Sequence, residues 1–291
     1  MFQGSLVAII TPFTETGVDY DALKKLVEFQ IENGTHGIVP CGTTGESPTL
    51  DHDEHAKVIE TVIKAANKRV PIVAGTGSNS TAEAISLTQH AEKAGADGAL
   101  VVTPYYNKPT QKGLYLHFKA VADSVKIPII LYNIEGRSAR NIETETVAKL
   151  ARDCKNIIGV KEASGSIEQA KAVREACGED FIILSGDDAL TLPLMKLGGK
   201  GVISVAANIV PKDVATIVNT FNSGDKEKAQ ELNDKLAPLV KSLFIETNPI
   251  PVKKAAELIG LCSGSLRLPM CDMEPENLEK LKKAMQEYGL I

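Results

Sequence analysis

Apolar runs and amphipathic stretches alternate eight times along the chain, and this alternation limits the possible folds more than any other feature. Apolar, β-branched runs lie at residues 6–10, 37–39, 72–74, 99–102, 129–132, 157–161, 182–184 and 202–205. Stretches with helical spacing follow them at residues 20–32, 52–66, 81–94, 112–124, 144–153, 167–177, 189–197 and 212–222. Strand and helix alternating eight times predict an α/β fold, a (β/α)8 TIM barrel rather than an open sheet.

The alternation stops after Asn222, and the rest of the chain has a different pattern. Residues 225–244, 251–258 and 275–288 have helical spacing and are separated by turns that contain proline and glycine. The sequence therefore predicts a barrel catalytic domain at residues 1–223 and a C-terminal helical domain at residues 224–291. A chain of 291 residues that is 43% hydrophobic can form the large core that this fold needs.

The charge pattern favours a small-molecule partner. There are 32 lysine and arginine residues against 37 aspartate and glutamate residues, a net charge of −5, and no dense basic block. Neither nucleic acid nor an anionic membrane surface is therefore expected as a partner. The N-terminus lacks a signal-peptide pattern and no apolar run could span a bilayer, so we expect a cytoplasmic protein.

The cysteine and histidine residues do not indicate a metal site or a disulfide framework. The five cysteines are an odd number and form no Cys-x-x-Cys pair. His52 and His55 could share one face of a helix, but a metal site needs a third ligand that the sequence does not supply. Acidic residues in the first turn of a helix explain this stretch more simply. We therefore expect no metal.

Lys161 ends the apolar run at residues 157–161, where a strand buried on both faces leaves the core. Burial disfavours the ammonium form of a lysine and lowers its pKa, which makes a free amine available to form a Schiff base with a ketone. The alternative is a lysine whose ammonium reaches solvent from the end of a strand.

Other polar side chains follow neighbouring predicted strands. Tyr132 ends the fifth strand, Thr43 and Thr44 follow the second, and Tyr105 and Tyr106 follow the fourth. Catalytic groups in this type of barrel come from the C-terminal ends of the strands, so all these side chains are candidates for the active site.

Each candidate also has a purely structural interpretation. Glycines flank Thr43 and Thr44, so the backbone there can form a nest for a carboxylate, or the threonines can cap the next helix. Tyr132 is either a proton shuttle beside an amine or a core aromatic residue. Arg137 is suited to bidentate carboxylate binding, although arginines in loops more often lie at the surface.

Several motifs in the same order resemble the family of pyruvate-dependent class I aldolases typified by dihydrodipicolinate synthase. The resemblance extends over nearly the whole chain, and the motifs that carry it are Gly42-Thr43-Thr44-Gly45-Glu46, Thr103-Pro104-Tyr105-Tyr106-Asn107, Leu131-Tyr132-Asn133 with Arg137, Gly159-Val160-Lys161-Glu162-Ala163, Leu184-Ser185-Gly186-Asp187-Asp188, Gly201-Val202-Ile203-Ser204 and Glu246-Thr247-Asn248-Pro249-Ile250-Pro251-Val252-Lys253.

The resemblance implies a pyruvate imine on Lys161 and no separate cofactor. The carboxylate of pyruvate would lie on the backbone of Thr43 and Thr44, Ile203 would add a main-chain contact, and Gly186 would belong to the same substrate-binding set.

The resemblance also implies how protons and the second substrate are handled. Tyr132 would donate and accept protons, in a relay completed by Thr43 and by Tyr106 of a neighbouring subunit, so the active site would need at least a dimer. The assembly implied by the resemblance is a homo-oligomer, a tetramer as a dimer of dimers. Arg137 would hold the carboxylate of aspartate semialdehyde. The product would be 4-hydroxy-tetrahydrodipicolinate, an intermediate of lysine and diaminopimelate biosynthesis.

Sibling aldolases share this lysine and tyrosine. N-acetylneuraminate and keto-deoxy-sugar acid lyases generally have serine in place of Thr43 and lack an arginine in place of Arg137, so these two residues favour the synthase. Glu135 replaces the usual proline of the family, and we expect its side chain to point away from Arg137.

A regulatory site for lysine is a further expectation from the resemblance. The matching residues are Ser47, His52, His55, Asn79, Glu83 and Tyr105, with Pro48 in place of a small residue. The alternative is that these residues form an interface or cap helices.

Two other classes of function are compatible with a barrel of this kind. One is a non-catalytic sensor of a keto acid or amino acid, which would not need both Lys161 and Tyr132. The other is a phosphate-binding isomerase, suggested by the glycines at residues 198–201. A helix C-cap explains those glycines more simply.

Overall fold

The computed structural model describes residues 2–291 and contains ten strands. They are β1 (Gly4–Ala8), β2 (Phe13–Thr14), β3 (Gly17–Val18), β4 (Gly37–Val39), β5 (Val73–Gly75), β6 (Gly98–Val102), β7 (Ile129–Asn133), β8 (Ile157–Glu162), β9 (Ile182–Ser185) and β10 (Gly201–Ser204). Strands β2 and β3 form a separate antiparallel hairpin, and the other eight belong to one parallel sheet.

Twelve α-helices follow in the described chain. They are α1 (Tyr20–Glu32), α2 (His52–Ala66), α3 (Thr81–Ala94), α4 (Gln111–Asp123), α5 (Glu135–Ser138), α6 (Thr144–Asp153), α7 (Ile167–Cys177), α8 (Thr191–Lys196), α9 (Pro211–Asn222), α10 (Lys226–Ser242), α11 (Ile250–Leu258) and α12 (Pro275–Tyr288). The predicted (β/α)8 barrel with helices after it is confirmed, since the eight parallel strands alternate with helices and α10 to α12 follow. No helix within residues 2–291 is long and apolar enough to cross a membrane.

The chain divides into two compact units, which we call the lysine unit and the threonine unit. The lysine unit contains Pro71–Ile203 with Phe2 and Gln3, and the threonine unit contains Gly4–Val70 and Ser204–Ile291. In the lysine unit the strands pair in the order β10-β9-β8-β7-β6-β5, all parallel. In the threonine unit β1 pairs with β4. The separate domains at residues 1–223 and 224–291 stay a prediction.

The strands of the lysine unit are apolar on both faces, as predicted from their composition. Strands β7 and β9 are buried along their whole length. Helices α3, α4, α6 and α7 cover a core that includes Phe118, Leu131 and Val160. A parallel sheet is stable only when both of its faces are covered. Because the strands are packed in this way, the polar side chains at their ends have defined positions.

Three local features differ from the predicted elements. The β2–β3 hairpin and the four-residue helix α5 were not predicted. The predicted helix at residues 189–197 begins at Thr191, after a short 3-10 turn at Asp188–Leu190. Asp187 accepts a hydrogen bond from the Ala189 N–H at 2.9 Å, and Pro193, which has no N–H to donate, lies in the first turn of α8.

Candidate active site

Lys161 is the next-to-last residue of β8 and its side chain is buried. It is 6% exposed, within a strand whose other residues are buried or half-buried. The apolar run before it accounts for this position, because a strand covered on both faces carries its last residues into the core. Lys161 is therefore buried, as its place at the end of this apolar run predicts.

Tyr132 lies directly beside this lysine. Tyr132 and Lys161 are register partners on β7 and β8, and the Lys161 Nζ is 4.2 Å from the centroid of the Tyr132 ring. The ring is 5% exposed. The backbone of Tyr132 is fixed by Thr103, whose N–H and hydroxyl both donate to the Tyr132 carbonyl oxygen at 2.9 Å. The amine of Lys161 and the ring of Tyr132 are thus in contact at a buried position.

Gly186 leaves room for the lysine side chain. A Cβ atom at this position would lie 2.9 Å from Lys161 Cε and 2.5 Å from Ala163 Cβ. A larger residue at this position would therefore clash with Ala163 and Lys161. Ile203, on β10, is fully buried in the same unit.

Arg137 lies in the loop that follows β7. Residues Glu135–Ser138 form α5, and both Glu135 and Arg137 are exposed. The Ser138 Oγ lies 2.9 Å from both the Ile134 and the Arg140 carbonyl oxygens, so its single O–H can donate to either one, which gives this loop a defined path without a proline.

The two tyrosines after β6 differ in exposure. Tyr105 is half-buried, whereas Tyr106 is 89% exposed and has a positive φ of 72°. The Asn107 N–H donates to the Tyr105 carbonyl oxygen at 2.9 Å, so the chain turns sharply here. A large aromatic side chain at such exposure is the kind of group that a second protein surface covers.

The threonine loop, residues 42–46, follows β4 in the threonine unit. Its turn is closed by hydrogen bonds from Gly45 N to Gly42 O and from Glu46 N to Thr43 O, both 3.1 Å. Thr44 is buried and Thr43 is half-buried. Glu46 has φ 54° and ψ 36°, a left-handed conformation that is uncommon for a residue with a side chain.

Two residues from the C-terminal part of the chain form hydrogen bonds to side chains of this loop. Asn248 Nδ2 donates to Thr44 Oγ1 at 2.9 Å, and Lys253 Nζ donates to Glu46 Oε1 at 2.6 Å and to the Thr11 carbonyl oxygen at 2.9 Å. Lys253 is fully buried. Burial lowers the pKa of Lys253, and the Glu46 carboxylate opposes that shift. The left-handed turn at Glu46 is thus stabilised by a buried ion pair.

Arg267 forms an outer layer around the same ion pair. Its backbone N–H donates to Glu46 Oε2 at 3.2 Å, and its guanidinium binds the Glu54 carboxylate with N–O distances of 2.5 and 2.6 Å. This contact lowers the pKa of Glu54. The Lys253 ammonium and the Arg267 guanidinium lie 4.1 and 4.3 Å from the Phe13 ring centroid.

Sequence reasoning did not assign a role to Glu46, Asn248 or Lys253. Lys253 is 207 positions from Glu46 in the chain, so no local pattern connects them. The available signal was chemical: a lysine inside the amphipathic pattern of α11, on its buried face, needs an acidic partner.

The residues expected to bind lysine lie in both units. Ser47, His52 and His55 belong to the threonine unit, where His52 is exposed and His55 is buried. In the lysine unit the Asn107 side chain donates to the Asn79 carbonyl oxygen at 2.9 Å, and the Ser78 hydroxyl bonds to Glu83. Regulation by lysine stays a prediction. No cluster of three or more potential metal ligands occurs within the described residues 2–291.

Known proteins resemble this chain over its full length. Residues 1–288 match the model of the dihydrodipicolinate synthetase family. The chain is 60% identical to the 4-hydroxy-tetrahydrodipicolinate synthase of Syntrophus aciditrophicus, with all of both chains covered. The crystal structure of dihydrodipicolinate synthase from Aquifex aeolicus has a TM-score of 0.98 and 53% identity, and covers 99% of each chain. A chloride-inhibited dihydrodipicolinate synthase from Acinetobacter baumannii, complexed with pyruvate, has a TM-score of 0.97 and 48% identity over both whole chains.

Proposed function

The chain belongs to the dihydrodipicolinate synthetase family, and we propose that it condenses pyruvate with L-aspartate 4-semialdehyde through an imine on Lys161. It is a lyase, and its product is 4-hydroxy-tetrahydrodipicolinate, the product that gives its relatives their name. Thr43 and Arg137, together with full-length identities of 57–60% to synthases of this name, favour this reaction over that of a sialic acid or sugar acid lyase.

The observation that carries the mechanism is the buried pair of Lys161 and Tyr132, whose amine and ring centroid are 4.2 Å apart. The Lys161 amine attacks the C2 carbonyl of pyruvate, and loss of water gives the imine. Loss of a methyl proton then gives an enamine, whose carbon bonds to the aldehyde carbon of the second substrate while the aldehyde oxygen takes up a proton. Tyr132 donates and accepts these protons, a role supported by its contact with Lys161. Attack of the substrate amino group on the imine carbon closes the ring and releases the lysine.

The threonine loop supplies the anion site for pyruvate. The tight turn and its two buried supports, Asn248 and Lys253, hold the backbone at Thr43 and Thr44 in one conformation. A preorganised nest of N–H groups binds a carboxylate without reordering on binding. Ile203 and Gly186 complete the contacts to the imine.

Arg137 binds the carboxylate of the aldehyde substrate. Its exposed position in the loop after β7 allows it to meet a substrate that enters from solvent. A guanidinium is suited to this task because it stays charged and can bind both carboxylate oxygens.

Tyr106 acts in the active site of a neighbouring copy, so that the working form is an oligomer. Its 89% exposure and its strained backbone support this role, because an isolated subunit leaves the ring in water. Analytical ultracentrifugation measures the assembly, with a tetramer as the expected form. A monomer that keeps full activity would contradict the role of Tyr106.

Borohydride trapping tests the central step. The protein is incubated with pyruvate, reduced with borohydride, digested and mapped by mass spectrometry. We expect one reduced pyruvate adduct on Lys161 and none on Lys253, the other buried lysine. Lys161→Arg should abolish both the adduct and turnover with aspartate semialdehyde. An adduct on another lysine, or turnover without an adduct, would refute the mechanism.

A further inference from the structure

The two strands that carry the reacting pair carry a second pair on the opposite face of the sheet. Tyr132 pairs with Lys161 and, one position further, Asn133 pairs with Glu162. Successive side chains of a strand point to opposite faces, so Asn133 and Glu162 lie behind the amine and the phenol.

Glu162 is a buried carboxylate whose hydrogen-bond donors are neutral. It is 4% exposed and accepts hydrogen bonds from the Ser164 N–H at 2.7 Å, from Asn133 Nδ2 at 3.2 Å and from Gln169 Nε2 at 3.3 Å. A carboxylate kept from water needs several donors to offset its lost hydration. These hydrogen bonds connect the Glu162 carboxylate to Ser164, Asn133 and Gln169.

The same donors close the base of the loop that carries Arg137. Asn133 Oδ1 accepts from the Ile142 N–H at 2.9 Å and Asn133 Nδ2 donates to Asn141 Oδ1 at 2.7 Å, which joins the two ends of the loop. Gln169 Nε2 donates to Asn141 Oδ1 at 3.0 Å, and Asn141 Nδ2 donates to Gln169 Oε1 at 2.7 Å. We call Asn133, Asn141, Glu162 and Gln169 the base network.

We propose that the base network positions the Arg137 loop against the strand of Lys161 and thereby sets the affinity for the second, aldehyde substrate. This inference rests on the proposed function. Its four members are positioning residues, since each acts on the substrate through the loop. One end of the base network is Glu162, the residue after Lys161, and the other end is the base of a loop whose tip is exposed.

The test replaces Gln169 by leucine, which keeps its volume and removes its hydrogen bonds. A loop displaced by a fraction of an ångström binds its substrate poorly, so we expect the KM for aspartate semialdehyde to rise about tenfold. The KM for pyruvate and the rate of borohydride trapping should stay within about twofold of wild type, because the Lys161–Tyr132 pair is untouched.

Asn156→Ala is the matched control. Asn156 precedes the other end of β8, and its Nδ2 donates to the Ala122 and Val125 carbonyl oxygens at 2.9 and 3.1 Å. This variant loses part-buried amide hydrogen bonds next to the start of β8, at the opposite end of the strand from Glu162. It should lose stability without separating the two KM values. Asn141→Ala, which removes network bonds from the loop side, serves as a second variant if Gln169→Leu folds poorly.

A double-mutant cycle decides whether the effect passes through Arg137. In an Arg137→Ala background, Gln169→Leu should change the KM for the aldehyde by less than about twofold. A tenfold effect that persists in this background, or a parallel rise of both KM values in Gln169→Leu, overturns the inference. Failure of the wild-type protein to trap pyruvate would instead refute the proposed function, so the two failures are distinguishable.

Discussion

Each unit contains a buried carboxylate, and the two carboxylates are stabilised by different kinds of partner. Glu46 in the threonine loop and Glu162 on β8 are 3% and 4% exposed, and each supports a segment assigned to the active site. Glu46 is stabilised by the ammonium of Lys253, from a helix 207 positions further along the chain. Glu162 is stabilised by amide and backbone N–H groups from residues no more than 29 positions away.

The difference concerns what happens when one partner is lost. A buried ion pair contains two charges that compensate each other. If one is removed, the other stays buried without a partner, and its desolvation cost is no longer offset. In an amide network several donors stabilise one carboxylate, so the loss of one donor removes only part of the stabilisation. A single substitution in the Glu46–Lys253 pair should therefore lower the free energy of unfolding more than one in the base network.

Lys253→Met should give the largest loss of stability. The methionine fills most of the space but leaves the Glu46 carboxylate without its cation, and we expect the free energy of unfolding to fall by about 3–5 kcal/mol. Urea denaturation followed by circular dichroism measures this. The variant should also raise the KM for pyruvate, because the threonine loop loses its support.

The double variant Lys253→Met with Glu46→Leu is the control for that prediction. Replacing both charges by apolar groups removes the uncompensated carboxylate, so the double variant should recover more than half of the lost stability. If the double variant is less stable than Lys253→Met alone, the ion pair does not account for the loss.

Glu162→Gln should have an intermediate effect. The amide keeps one acceptor oxygen but presents an NH2 group to Asn133 and Gln169, which are themselves donors, and we expect a loss of about 1–3 kcal/mol. Thermal and urea unfolding of this variant, compared with Lys253→Met under the same conditions, measure the contrast directly. A loss as large as that of Lys253→Met would remove the distinction between the two regions.

The smallest expected effect is on the pH dependence of stability, through the ion pair of Arg267 and Glu54. The Arg267 guanidinium holds the pKa of Glu54 below its usual value of 4.5. A carboxyl with a lowered pKa in the folded state adds stability above its unfolded pKa, and this stability is lost as the pH falls through the folded pKa. Arg267→Gln should therefore flatten the fall in stability below pH 4.5. An unchanged acid limb in Arg267→Gln would contradict this assignment.

The sequence predicted the elements whose pattern is local. Eight apolar runs specify eight parallel strands, because each run is long enough to be buried on both faces and short enough to be a strand. The shift of α8 to Thr191 was within reach of the same reasoning, since Asp187 and Pro193 are ordinary signals of a helix start. The hairpin of β2 and β3 has only two residues in each strand, too few for any periodicity.

The site divides in the same way. Lys161 and Tyr132 are candidates because they end apolar runs, and Asn133 and Glu162 could have been added because each directly follows one of them on the opposite face. The pairing of Lys253 with Glu46 could not, because only the tertiary fold brings α11 to the threonine loop. Single-sequence patterns report burial and direction, whereas partners distant in the chain require coordinates.

The separation of Glu46 from Lys253 also orders events during translation. The ribosome completes the threonine loop early, but the lysine that neutralises Glu46 is synthesised only 207 residues later. Until Lys253 has been made, the Glu46 carboxylate has to stay hydrated, because burial without its cation carries the full cost of desolvation. The threonine loop can therefore reach its buried conformation only after α11 has been synthesised.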